Sequence, residues 1–229
     1  MSQRDPGNFN RLHIRPGQIW NVQGMIQQAV MLVLILIVYS VILVLTQQFP
    51  GEYSGLENWL QRLHGLFRTE HLLSDMITGA FFGFILSGVL FLLDYAVGYI
   101  KKIKVYDWVH RSDFMLPVNR EQRKWALSIA LSGSIIEEIM FRGFIFIAVM
   151  NLWGTWIWAA LILSALFGFL HAGLQGFWST LWIFIVSVLL CYFVVLGKSI
   201  YFLILLHMMV NITNLFILPL LTKKFRPCG

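Results

Sequence analysis

Charge is scarce in this chain. Asp, Glu, Lys and Arg make up 12% of its 229 residues, against 58% hydrophobic, whereas soluble domains average about a quarter charged and nearer half apolar. A water-soluble domain of this size has nowhere to hide that much apolar side chain, and the apolar residues fall in long blocks instead of periodic stripes, so lipid is the expected solvent. Cysteine is scarcer still. Cys191 lies inside an apolar block and Cys228 is next to last, a spacing that indicates neither a disulfide framework nor a zinc knuckle. The sequence also lacks internal repeats, low-complexity tracts, a His-Glu-x-x-His helix and a Gly-x-Ser-x-Gly element, and with the last two it lacks common zinc-protease and serine-hydrolase signatures. The formal net charge is +6, but the basic residues border apolar blocks and form no stripe with interleaved aromatics. That argues against nucleic acid as a partner and for anionic lipid headgroups.

Six blocks are long enough to cross about 30 Å of hydrocarbon: 25–46, 76–100, 125–150, 157–173, 181–197 and 200–221. The first begins after a polar stretch holding Arg4, Arg11 and Arg15, has no small-residue cleavage site behind it, and reads as a retained span. The fourth is short enough to be tilted or partly re-entrant. Little more than Gly197 and Lys198 separates the last two, which predicts a tight helical hairpin. The expected fold class is all-α: a polytopic membrane helical bundle of about six transmembrane helices, forming one domain over 1–229 with a cytosolic N-terminal segment, 1–23. Basic residues set the orientation. The N-terminal segment, the connection with Lys101, Lys102, Lys104, Arg111, Arg120, Arg123 and Lys124, and the tail with Lys223, Lys224 and Arg226 share one side, against Arg62, Arg68 and Lys198 on the other. The positive-inside rule then puts both termini in the cytosol of a multi-pass protein of the cell membrane. Between Glu52 and Asp75, Leu56, Trp59, Leu60, Leu63, Leu66 and Phe67 recur at helical spacing, which predicts an outer interfacial helix covering the bundle.

Against this apolar background a few residues stand out. Glu137, Glu138 and Arg142 fall inside the third span, where a charge costs several kcal/mol. Glu137 is 12 residues beyond Trp125, roughly 18 Å along a helix at about 1.5 Å per residue, near mid-membrane. Glu138 and Arg142, at i and i+4, share a face and can pair. Glu137 is rotated about 100° away and is left to act as a general base on water. A Glu–Arg clamp that only ties helices together is the plainer alternative, but the second, adjacent glutamate then lacks a partner. His171 closes the fourth span, and His207 and Asn211 lie one turn apart in the sixth. Intramembrane polar residues normally face the bundle interior or a wet cavity, so convergence of all six is the economical arrangement. Asp94, near the inner end of the second span, reads as an interface or hairpin contact.

Glu137-Glu138-x-x-x-Arg142, Phe167-x-x-x-His171 and His207-x-x-x-Asn211, with the surrounding Ile-Glu-Glu-Ile-Met-Phe-Arg-Gly-Phe, resemble the three ordered motifs of the CPBP group, the CAAX-protease and bacteriocin-processing (Abi) intramembrane proteases. The resemblance covers about residues 120–215, which become the expected catalytic core. It implies an intramembrane endopeptidase without cofactor or metal that acts on a protein or peptide substrate associated with the membrane. Glu137 would activate a water that His171 helps to hold, His207 and Asn211 would stabilise the oxyanion, and Glu138 and Arg142 would orient the site. Three other readings are open at this point. The first is a zinc-dependent protease, since two histidines and two glutamates are possible ligands. The second is a partner-binding or immunity protein that keeps the fold without proteolysis. The third is a transporter, which the lack of repeat symmetry disfavours.

Overall fold

A computed structural model of the chain describes residues 56–102, 116–117, 119–153 and 155–222, together with Val30, Val33, Ile37 and Val41. Those four are helical, and the rest of the expected first span and of the N-terminal segment lies outside the described residues. All regular structure among the described residues is helical: α1 (Leu56–Leu66), α2 (Leu72–Ile100), α3 (Arg120–Glu138), a π-helical segment (Ile139–Phe146), α4 (Ile147–Trp153), α5 (Trp156–Val195), α6 (Ile200–Ile212), a second π-helical segment (Thr213–Ile217) and α7 (Leu218–Thr222). Two stretches, Leu72–Ile100 and Ile200–Leu221, are long and apolar enough to cross a membrane.

The 40 residues of α5 would make a straight rod of about 60 Å. They do not. Gly168 lies against Thr180, so that a Cβ on Gly168 would sit 3.4 Å from the Thr180 carbonyl oxygen; in a straight helix those residues would be about 18 Å apart. Cys191 likewise packs with Ala159 and Ala160. The chain therefore doubles back, and its two apolar arms, Trp156–His171 and Thr180–Val195, lie side by side where the fourth and fifth spans are expected. The turn from α5 into α6 is tight, as the sequence predicts. Gly197 adopts φ +74°, the left-handed conformation that glycine takes without a Cβ penalty. Its amide donates to the Val194 carbonyl (2.9 Å) and that of Lys198 to Phe193 (3.0 Å), the paired bonds that close a helix C-terminus in a Schellman motif. Side-chain oxygens start the two helices that matter most for the site. Asn119 Oδ1 accepts from the Gln122 amide ahead of α3, and Ser199 Oγ from the Phe202 amide ahead of α6, each satisfying an orphan donor of the first turn.

Helix α2 explains its own packing. Its buried residues include Asp75, Gly79, Gly83 and Ser87, spaced by four, so one narrow stripe of small side chains faces the bundle. Its large residues point outward; Phe81 is 62% exposed and Leu92 64%. That reverses the pattern of a soluble helix and suits an apolar solvent. The stripe admits α6 to backbone contact. A Cβ at Gly79 would collide with the Phe202 carbonyl oxygen, and one at Gly83 with that of Leu206. Both contacts advance by four residues in the same direction, so α2 and α6 run parallel. Helix α3 uses the same device, turning Ala126, Ala130, Gly133 and Ser134 inward and packing on α6.

Helix α1 forms within the stretch where spacing predicts one. Leu63, Leu66 and Phe67 join the core cluster around Ile147, Ile200 and Leu203. Arg68 Nη2 donates to the Gly197 carbonyl at 2.7 Å, and Arg62 Nη1 approaches Met150 Sδ at 3.8 Å. These contacts gather the α1–α2 corner, α4 and the α5–α6 turn at one end of the bundle. Trp182 Nε1 donates to Asp94 Oδ1 at 3.1 Å, the contact role expected of Asp94.

The glycine stripe generates a prediction. Gly83→Ala forces a backbone shift and destabilises the protein by about 1–3 kcal/mol, the usual cost of overpacking. Gly88→Ala, where an added Cβ meets nothing within 4 Å, stabilises by up to about 1 kcal/mol through helix propensity. Thermal unfolding in detergent separates the two. Equal effects of the same sign would contradict the close approach of α2 and α6.

Candidate active site

The site is assembled where α3 runs into the first π-helical segment. Both glutamates belong to the last turn of α3, and Arg142 lies inside the π segment that begins one residue later. A π turn closes i→i+5 bonds and widens the helix locally, and such segments recur at functional sites. Arg142 Nη1 donates to Glu138 Oε1 at 2.9 Å, with both side chains essentially without solvent exposure. The same guanidinium donates through Nη2 to Ser187 Oγ (2.8 Å) and to the Ser187 carbonyl (3.3 Å). It also lies 5.0 Å above the centre of the Phe167 ring, within cation–π range. Glu138 and Arg142 thus form the buried pair that their spacing predicts, and the returning arm of α5 holds the arginine from the far side.

Helix α6 enters through His207 and Asn211. His207 Nδ1 is 2.7 Å from Glu138 Oε1. With Glu138 also bonded to Arg142 and acting as a carboxylate acceptor, this is an Nδ1–H donor, which fixes the ring's tautomer and orientation. The other nitrogen, Nε2, faces Glu137 Oε2 at 3.8 Å. That is too long for a direct hydrogen bond and close enough for one small polar group to touch both. Glu137 is 26% exposed where Glu138 is 0%, so of the adjacent pair one carboxylate is sealed and the other is open. Asn211 Nδ2 donates to Ser134 Oγ at 3.2 Å, one helical turn before the glutamates.

His171 sits differently from the rest. Its Nδ1 donates to the carbonyl of Phe167 in its own helix at 2.7 Å, leaving Nε2 as the ring's acceptor. It reaches the cluster through the Phe167 ring, stacked at 4.7 Å between centroids. The same phenyl ring is a hub that also meets His207 at 6.3 Å and Phe141 at 4.9 Å between centroids. Both imidazoles therefore contact one phenyl ring, while Glu137, Glu138, Arg142 and His207 form a polar cluster with Asn211 bonded to Ser134 on the same helix as the glutamates. Among the described residues, no group of three or more His, Cys, Asp or Glu side chains is disposed to hold a metal ion.

Three contributors were not assigned these roles from sequence. Ser187 and Ser134 are small residues in apolar helices, which ordinarily signal packing, and neither carries a mark of its bond to Arg142 or Asn211. Phe167 opens the second motif, but its position as hub depends on how the α5 arms fold back.

With this geometry in place, the comparisons with known proteins are specific. Residues 120–213 match the model of the Rce1-like family, described as type II CAAX prenyl endopeptidase Rce1-like. The resemblance read from three motifs is thereby borne out, over less than half of the chain, and the matched segment contains all six candidate residues. The match supports a peptidase of the CAAX-protease type. No curated protein and no solved structure matches the chain.

The sealed ion pair leads to a stability prediction. Arg142→Met strands a buried carboxylate and costs about 3–5 kcal/mol. The double variant Glu138→Gln with Arg142→Met recovers a large part of that loss, because no unpaired charge remains. Thermal denaturation in detergent measures both. A double variant less stable than Arg142→Met alone would contradict the pairing.

Proposed function

We propose that the chain is an intramembrane endopeptidase in which Glu137 activates a water against a peptide bond of a membrane-associated protein or peptide. The observation that carries this reading is the position of His207, held through Nδ1 by Glu138 with Nε2 turned toward the partly open Glu137. A sealed carboxylate orients the ring and an accessible carboxylate faces it. That division of labour suits a base and a donor working on one small reaction volume.

In this mechanism Glu137 takes a proton from water as the water oxygen attacks the peptide carbonyl carbon. His171, whose Nε2 is its acceptor, helps to hold that water. The carbonyl π bond opens to an oxyanion, stabilised by Asn211 and by the doubly protonated form of His207, the form that carries a hydrogen on Nε2. Glu137 then passes its proton to the leaving nitrogen, the C–N bond breaks as the carbonyl re-forms, and a carboxylic acid and an amine depart. Each oxyanion donor of this kind contributes on the order of 100- to 1000-fold in rate. Arg142 and Glu138 touch no substrate and act through His207.

The family description points to the C-terminal tail of a prenylated protein as the substrate class. The outward apolar face of α2 supports a bundle immersed in lipid, which would bring enzyme and lipid-anchored substrate into one plane. The six-span topology with cytosolic termini, and the assignment of catalysis to 120–215 within one membrane domain, belong to the same proposal.

The test uses the full-length protein in detergent or nanodiscs with a farnesylated peptide ending in Cys-aliphatic-aliphatic-X. Cleavage is expected to survive a chelator and to disappear in Glu137→Ala and in His171→Ala. Activity persisting in Glu137→Ala would reject the assigned base. Loss on chelation that zinc restores would favour a metalloprotease. An unmodified protein that binds the peptide and never cleaves it would favour the partner-binding role.

A further inference from the structure

Ser134 is fully buried, three residues before Glu137. Its Oγ is 2.7 Å from the Ala130 carbonyl, to which only a hydroxyl can donate. A serine has one hydroxyl hydrogen, and this bond consumes it. What Ser134 turns toward α6 is therefore a lone pair. Asn211 Nδ2 meets that lone pair at 3.2 Å.

The consequence concerns the two faces of the asparagine amide, which are close to the same shape and differ in chemistry. With the amino group toward Ser134, one N–H is satisfied and the second is left for another acceptor. A rotation of 180° would set Oδ1 against an oxygen that has no hydrogen left to offer, exchanging a hydrogen bond for contact between two acceptors. We infer that Ser134 is a positioning residue for the reaction: it locks the Asn211 amide so that its second N–H is presented as a donor. The inference rests on the oxyanion role given to Asn211 under the proposed function. It adds a geometric link, since the base and the anchor of the donor come from the same turn of α3. Their separation is set by helix geometry, so α6 cannot drift relative to Glu137 without breaking the Ser134 bond.

The experiment is a double-mutant cycle on the full-length protein in detergent, with Ser134→Ala, Asn211→Ala and the pair, read twice: by kcat and KM on the prenylated peptide, and by melting temperature. A locked amide predicts that Ser134→Ala lowers kcat by about five- to tenfold, the effect of losing one neutral hydrogen bond, with KM unchanged. In the Asn211→Ala background the same change has no further effect on kcat, and the two substitutions are non-additive in melting temperature as well. Equal fractional losses of kcat in both backgrounds would overturn the proposal, because a purely structural serine acts regardless of Asn211. So would an unchanged kcat in Ser134→Ala, or strictly additive melting temperatures. The outcome that rejects the underlying reading is distinct: either the unmodified protein fails to cleave, or Asn211→Ala cleaves at the unmodified rate.

Discussion

One carboxylate oxygen holds this site together. Glu138 Oε1 accepts from Arg142 at 2.9 Å and from His207 at 2.7 Å, in an interior that excludes water. An ionised carboxylate taken out of water loses several kcal/mol of solvation, and only close, well-directed partners offset that loss. The requirement acts on the fold. It draws α6 against α3 at the level of His207, and through Arg142 it draws the returning arm of α5 in at Ser187. Glu137, one residue earlier and 100° around the helix, inherits a fixed distance to His207 without spending a bond of its own. Its partial exposure is a by-product of Glu138 having taken the sealed position.

The helices can come close enough for this because the faces that meet are made of small residues. Gly79 and Gly83 of α2 admit the backbone of α6, and Ala126, Ala130, Gly133 and Ser134 of α3 do the same from another direction. In lipid there is little hydrophobic drive between helices, so close backbone packing and polar contacts carry the association. Large apolar side chains consequently point outward on α2, the arrangement that an apolar solvent would accommodate. A polar interior wrapped in an apolar exterior is the condition under which a wet pocket can persist at membrane depth.

Much of the site was legible in the sequence because charge in an apolar helix is costly and hence informative. Glu137, Glu138 and Arg142 were singled out on that ground, His207 and Asn211 as polar groups one turn apart inside an apolar span, and the i, i+4 spacing gave the Glu138–Arg142 pair. His171 was expected to converge with the other polar residues and help hold a water; the contact that links it to the cluster is the Phe167 ring, which spacing along one helix does not encode. Ser134 and Ser187 were illegible because a serine in a membrane helix looks the same whether it fills space or holds an arginine. The hairpin at Gly197 followed from a glycine between two apolar blocks, whereas the π segment after Glu138 has no distinguishing composition. In α2 the Gly79–Gly83 stripe passed unread inside a block whose hydropathy alone said span.

The central claim is that Glu137, 26% exposed, opens to water while Ile135 on the same helix faces lipid. Cysteine accessibility in intact membranes measures this directly, with the native cysteines replaced and a charged, lipid-insoluble thiol reagent as probe. Glu137→Cys is expected to react, and Ile135→Cys, two residues away and 44% exposed on the apolar face, to stay unlabelled. An inert Glu137→Cys beside a reactive Ile135→Cys would contradict the account.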